Sequence, residues 1–455
     1  MASNSNSQQQ TDEGGVNAFE WLAGGLFFGG NNQNSQHKHK RELQTIESSK
    51  DVKQLWSGVA ENWKSLLEPK DTEMTDANAS SSQPAATATT TTTSADNSAQ
   101  STPEDSVTRD FLSARLLRLR FLLYEERKQT SSHYNPNSNK LFGGGNPKPT
   151  IALATVAYFV QQQQQSNSFL WLSFVQHMEK LPFESRKVVA HIFCYLSLCG
   201  LDGSDAAVYK DEAIMPSFLG HVVVPQFQPL MQSLVAGYTQ TGGDIALHCG
   251  SMFRAMLRHA PLYRLTVGST PAVQQFVLPF LETHVHSPNF DVASDAMECV
   301  RTLFVPVAPE NADLAAEFMT RDYEAIWDEL FVPKLLYNEQ ANNYMTKRMA
   351  LQILSTVLLT RTNYNVMVRF VASARNCKVI LLLLRNPSPH ISLDAFHVFK
   401  VFVANPNKPE EVVKMLKDNK VKLAAYLQTL HAEKAQSDAQ FRDERALIIA
   451  TIEGL

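Results

Sequence analysis

Cysteine is scarce in this chain of 455 residues, and the count of five is odd. Cys194, Cys199, Cys249, Cys299 and Cys377 are scattered, mostly inside apolar helical patterns. That distribution argues against a disulfide framework and for buried free thiols in a reducing compartment. No apolar run approaches the roughly eighteen residues of a membrane span; Ile151 to Val160 is among the longest. No basic residue precedes Lys38, so the positive start of a secretory signal is missing. The expected location is cytoplasmic, with no membrane partner. The net charge of −4 offers no whole-chain attraction for nucleic acid.

Catalytic and metal-binding signatures are missing as well. Gly143-Gly144-Gly145-Asn146-Pro147-Lys148 invites comparison with a phosphate cradle. No Gly-Lys-Ser/Thr closes it, however, and Pro147 and Pro149 remove backbone donors. His284-Val285-His286 has no Cys or carboxylate pattern to complete a metal site and reads as a solvated loop. Asp202-Gly203-Ser204-Asp205 lacks the remaining calcium ligands and the distal Glu. There is no Gly-x-Ser-x-Gly elbow, and no cysteine stands out as a nucleophile. We expect no enzyme, no metal and no cofactor. There is also no convincing run of alternating strands.

What is present is a helix that repeats. From Ser388 to Lys408, Ala395, Phe399 and Phe402 recur at helical spacing, and Phe396, Val398 and Val403 widen the apolar stripe. Pro406, which has no backbone donor, predicts the exit turn Asn405-Pro406-Asn407. Ala395 aligns with Ala350, Ala296 and Gly250, spaced 45, 54 and 46 residues apart. Three positions on stand Val398, Ile353, Cys299 and Phe253; seven on stand Phe402, Val357, Leu303 and Leu257. At the fourth position Phe399, Leu354 and Val300 agree while Arg254 dissents. Two of the spacings match HEAT and armadillo units of about 40–47 residues, and the middle one needs an insertion. Four unrelated amphipathic helices would show the same small-then-apolar pattern, but not a near-regular period. The predicted fold class is all-α, a HEAT/armadillo-like helical-repeat solenoid in which stacking supplies the core.

Ahead of it, residues 1–105 read as a mostly disordered extension. An apolar island (Phe19, Trp21, Leu22, Leu26, Phe27 and Phe28) among glycines is either a docking motif or a sticky patch. Val52 to Leu67 reads as one amphipathic helix using Leu55, Val59, Trp63 and Leu66. Asp71 to Asp105 contains no aromatic residue and reads as disordered linker. Residues 106–455 form the repeat domain, with helical periodicity from near Val107 and a capping helix in Ser437 to Leu455 using Phe441, Leu447, Ile448 and Ile452.

Charge is segregated. Between Ala341 and Ala424 thirteen basic residues face four acidic ones, an excess of +9 in a chain of net −4. Such a surface attracts an acidic partner, and Tyr344, Tyr364 and Phe370 lie among the cations. The alternative is a helical-repeat module for nucleic acid or transport cargo, distinguished by a steep salt dependence with DNA or RNA.

Asn343-Tyr344-Met345-Thr346-Lys347-Arg348, Phe290 through Ala296, Arg258 through Leu262 and Ala395 through Lys408 resemble the calcium-binding protein 39 family, the mouse-protein-25-like kinase scaffolds. The resemblance covers roughly Val107 to the end. It implies a curved, non-catalytic scaffold that binds a Ste20/germinal-centre-type kinase or pseudokinase, holds it active-like and joins a ternary complex with a second kinase. The resemblance carries over two surfaces. One is a concave, kinase-facing set of Tyr344, Arg348, Arg361 and Tyr364, with Tyr364 replacing the family's Phe. The other is a pocket for a Trp-Glu-Phe-type partner tail, matched by Lys378, Leu381 and Lys422, with Lys417 beside it. Leu381 stands where animal members have Met and Asp418 where they have Lys. The second change removes a cation from a site for an acidic peptide.

Overall fold

The computed structural model describes residues 33–68, 103–132, 150–166, 169–198, 218–240, 243–337 and 344–455. The apolar island, the phosphate-cradle comparison and most of the linker interval lie outside these residues. Every regular element among the described residues is helical, and no strand occurs. They fall into two units. The first holds the described residues within 33–170 and 177–192; the second holds those within 171–176, 193–198 and 218–455.

In the first unit, α1 (Gln33–Ser48) and α2 (Val52–Leu67) both pack on α3 (Pro103–Ser132), and α2 also packs on α4 (Thr150–Ser166). Asp51 caps α2, its side chain accepting from the Gln54 amide at 2.9 Å. α1 lies within the expected disordered extension yet is helical, and His39, Leu43 and Ile46 make its buried side. α3 starts at Pro103, ahead of the first apolar periodicity, since Pro suits a first helical position and Glu104 and Asp105 complement the helix dipole. Trp56 anchors this unit. It is fully buried, its ring meets Phe159 edge-on at 4.8 Å, and its indole donates to Thr155 Oγ1 at 3.3 Å. Trp56→Ala is expected to cost about 3–5 kcal/mol, read as a lower midpoint in urea unfolding.

The second unit is the repeat stack. Its helices include α5 (Phe227–Ala236), α6 (Gly243–Leu257), α7 (Phe290–Phe304), α8 (Tyr344–Leu359), α9 (Tyr364–Ala372), α10 (Ala374–Leu384), α11 (Pro389–Ala404), α12 (Glu410–Thr429) and α13 (Ala439–Glu453). α6, α7, α8 and α11 are the four echoing helices, and each packs on the next in chain order. Gly250, Ala296, Ala350 and Ala395 are all buried at these seams, as are the positions three and seven residues on. The chain leaves α11 at Asn405, extended as a residue before proline must be.

Arg254 breaks the apolar register because it reaches the next repeat. It donates to Asp295 Oδ1 at 2.7 Å, and Tyr238 donates to the other oxygen of the same carboxylate. One repeat pair later, Asp394 faces Arg348 at 3.6 Å and accepts from Gln352 at 3.5 Å. Asp295 and Asp394 each directly precede a small seam residue. A helix that presses close at the small residue brings the neighbouring carboxylate within reach of the previous helix.

Two expectations are corrected. His284 lies not in a solvated loop but in the core, in a 3-10 turn, 5% exposed and stacked on Tyr238 at 5.0 Å. Leu447 is exposed, and α13 caps the stack with Phe441, Ile448 and Ile452.

Burial pushes the His284 imidazole down to about 4 from 6.5. Burial also lowers His259, whose ring faces the Ser197 carbonyl at 2.6 Å. These rings are neutral when folded and take a proton more readily once unfolded. Stability should therefore fall as pH drops from 6.5 towards 4, by about 3 kcal/mol for His284. Urea unfolding at several pH values should show a weaker acid dependence for His284→Phe.

Candidate functional site

α10 and α12 border a groove of about 620 Å³ in the second unit. On α10 the lining includes Lys378, Leu381, Leu382 and Arg385, spaced as one face of a helix. The opposite face of α10 carries Cys377 and Ile380 into the core, and the buried Leu384 reaches the groove as part of its lining. On α12, Met415, Asn419, Lys422, Leu423 and Tyr426 form the matching stripe, while Leu416 and Leu427 face inward. The Tyr426 hydroxyl donates to the Leu384 carbonyl. Burial raises its phenol above the ordinary value, opposed by nearby Arg385, so the ring stays neutral.

The result is an apolar trough with three exposed cations, Lys378, Arg385 and Lys422, and no carboxylate among its lining residues. Leu382 is 47% exposed, an uncovered apolar surface between cations. Such a site suits a short peptide that offers bulky apolar side chains together with acidic groups or a terminal carboxylate.

Of the residues assigned to this site by resemblance, Lys378, Leu381 and Lys422 come together here. Lys417 does not. It is two residues from Met415, about 200° around the helix, and is exposed on another face. Asp418 is exposed near the edge of the stripe and does not line the groove. Leu382, Arg385, Met415 and Tyr426 were not foreseen. Extending Lys378 by three, four and seven residues would have found the first two.

The other assigned set is spread out. Tyr344 and Arg348 sit one turn apart near the start of α8, while Arg361 and Tyr364 follow its far end. Along the α8 axis, Arg348 and the helix end at Leu359 are about 16 Å apart. Tyr364 is 63% exposed and Arg361 is exposed, whereas Arg348 is engaged with Asp394.

The +9 excess is partly cancelled across helices. Arg369 pairs with Glu324 at 2.8 Å and lies over the Tyr323 ring, and Lys400 pairs with Glu444. Both acids lie outside the interval that was counted, which is why a sequence window overstated the field. Among the described residues, no group of three or more His, Cys, Asp or Glu gathers where it could hold a metal ion. No helix there is long and apolar enough to cross a membrane.

Comparison with known proteins places the chain in a family. A family model described as Mo25-like matches residues 97–455. The Mo25-like protein of Schizosaccharomyces pombe is 36% identical over 294 residues, covering 65% of this chain and 79% of that protein. Human calcium-binding protein 39-like is 32% identical over 307 residues, covering 68% of this chain and 80% of that protein. A degreening-related protein of Auxenochlorella protothecoides is 34% identical over 278 residues, 61% of this chain and 77% of its own length. With a model spanning most of the chain and relatives matched over most of their length, this chain belongs to the Mo25-like family.

Proposed function

We propose that the chain is a non-catalytic scaffold that binds a Ste20-type kinase or pseudokinase and stabilises its active-like conformation. The carrying observation is the groove, which joins Lys378 and Leu381 to Lys422 across two helices in an apolar trough with a cationic rim. In this reading the groove takes the partner's acidic–aromatic tail. The exposed surface around Tyr344, Arg361 and Tyr364 meets the kinase lobe. A scaffold shifts a kinase towards one conformation only by binding that conformation more tightly, so the lobe contact sets the direction and the tail contact adds affinity.

The test is recovery of a Ste20-type kinase or pseudokinase with the full chain from native lysate, followed by kinase assay of the purified pair. Failure to recover any such partner would sink the proposal. Charge reversal at both Arg348 and Arg361 would confound the lobe contact, because Arg348→Glu sets a carboxylate against Asp394. Arg361→Glu with Tyr364→Ala is the cleaner variant. It should weaken kinase binding at least tenfold, about 1.4 kcal/mol, with thermal unfolding unchanged because both side chains are exposed.

A further inference from the structure

We propose that Ser388 is a phosphorylation site for a proline-directed kinase and that its phosphate closes the groove to acidic peptides by drawing Arg385 away. The second half rests on the reading of the groove as a peptide site. The sequence Arg385-Asn386-Pro387-Ser388-Pro389 places a proline directly after the acceptor and an arginine three residues before it. Ser388 is in extended conformation (φ −75°, ψ 120°), the form in which kinases take substrate peptides, and Arg385, Pro387, Pro389 and His390 are exposed around it.

The hydroxyl of Ser388 is uncommitted. The side chains of Asp51, Ser269, Asn289, Ser373 and Asp438 accept capping hydrogen bonds from their helices, whereas that of Ser388 makes none. Two other described residues precede proline with a hydroxyl. Thr270 donates to Asp322 at 2.6 Å, and Ser287 accepts from the Asn289 amide at 3.3 Å. Of these three described residues, only at Ser388 does the reaction displace no existing hydrogen bond. The Ser388 oxygen attacks the γ-phosphorus of a nucleoside triphosphate and the bond to the β-phosphate oxygen breaks. The diphosphate leaves, and the hydroxyl proton passes to a carboxylate of the modifying kinase.

Arg385 gives the modification its consequence. It lines the groove, and its α-carbon is at most about 11 Å from that of Ser388. A phosphate carrying nearly two negative charges takes up a guanidinium within reach, and its own charge then opposes any carboxylate entering beside Lys378 and Lys422.

The test treats the full chain with a proline-directed kinase and γ-labelled ATP, maps the label by mass spectrometry, and titrates the product by phosphorus NMR. Label is expected on Ser388, absent from Ser388→Ala and kept in Ser287→Ala. The second ionisation of the phosphate should lie below its ordinary value of about 6 and return to it in Arg385→Ala. The affinity for a peptide ending Trp-Glu-Phe should fall about tenfold on phosphorylation. Label confined to other residues, or a titration indifferent to Arg385→Ala, overturns the proposal, as does unchanged affinity in a chain that binds the peptide. A chain that never binds the peptide sinks the reading of the groove instead, and the label and titration still decide whether Ser388 is modified and pairs with Arg385.

Discussion

Asp295→Ala is expected to destabilise the repeat stack by about 3 kcal/mol, the largest loss among single substitutions of a charged residue. Its carboxylate receives Arg254 at 2.7 Å and the Tyr238 hydroxyl, in a seam where Arg254 also donates to Cys299 Sγ at 3.2 Å. Removing it takes the charged acceptor from a half-buried guanidinium and a buried phenol, leaving only the Cys299 sulfur to both and the residue-295 carbonyl to Arg254. Burial, the largest cause of the raised Tyr238 phenol, persists when the carboxylate is gone, so the ring stays neutral and cannot replace it as a partner for Arg254. The seam has no slack either, since a Cβ at Gly250 would collide with the Asp295 carboxylate and the Tyr238 hydroxyl. Urea unfolding of Asp295→Ala and Asp295→Asn should give a large loss and an intermediate one. A loss below about 1 kcal/mol for the alanine variant, the value of an exposed pair, would show that the seam is held by apolar packing alone.

The second large effect concerns binding. Lys378→Glu combined with Lys422→Glu should weaken an acidic–aromatic peptide at least about a hundredfold, while the unfolding midpoint stays put because both side chains are exposed. Two rim cations become anions, so the ligand's carboxylates meet repulsion where they met attraction. Binding to the unaltered chain should weaken as salt rises, since the rim charges are open to screening. Lys417→Glu is the control matched to Lys422→Glu alone, with the same change of charge on the same helix at a face away from the groove. Fluorescence anisotropy would decide. Equal losses for Lys417→Glu and for Lys422→Glu would mean that general charge, not the groove, holds the peptide.

Much of the fold was legible because it rests on local spacing. A small residue followed at three, four and seven by apolar ones makes a helix face whatever surrounds it, and Pro406 stops a helix anywhere. The interval 52–67 declared itself through Leu55, Val59 and Trp63. α1 did not, because its polar residues carry no stripe and it is held by what α3 offers it. His284 shows the same limit. A pair of histidines next to a Ser-Pro break looks solvated until Tyr238 and Phe280 are seen to enclose the first ring.

The site was half legible. The resemblance supplied Lys378, Leu381 and Lys422, yet it set Lys417 beside them when only the helical phase of α12 could exclude it. The summed charge was misleading for a related reason, since Glu324 and Glu444 approach the cations in space and not in sequence.

The order of residues by itself determined the helical class, the register of the repeats and a few helix ends such as Val52, Leu67 and Ala404, because a backbone hydrogen bond in a helix spans only four residues. Tertiary packing alone decided that Arg254 finds Asp295, that Lys378 and Lys422 share one trough, and which cations stay unpaired. Those outcomes depend on how closely neighbouring helices approach and how each is rotated about its axis, quantities set by side chains on two helices at once.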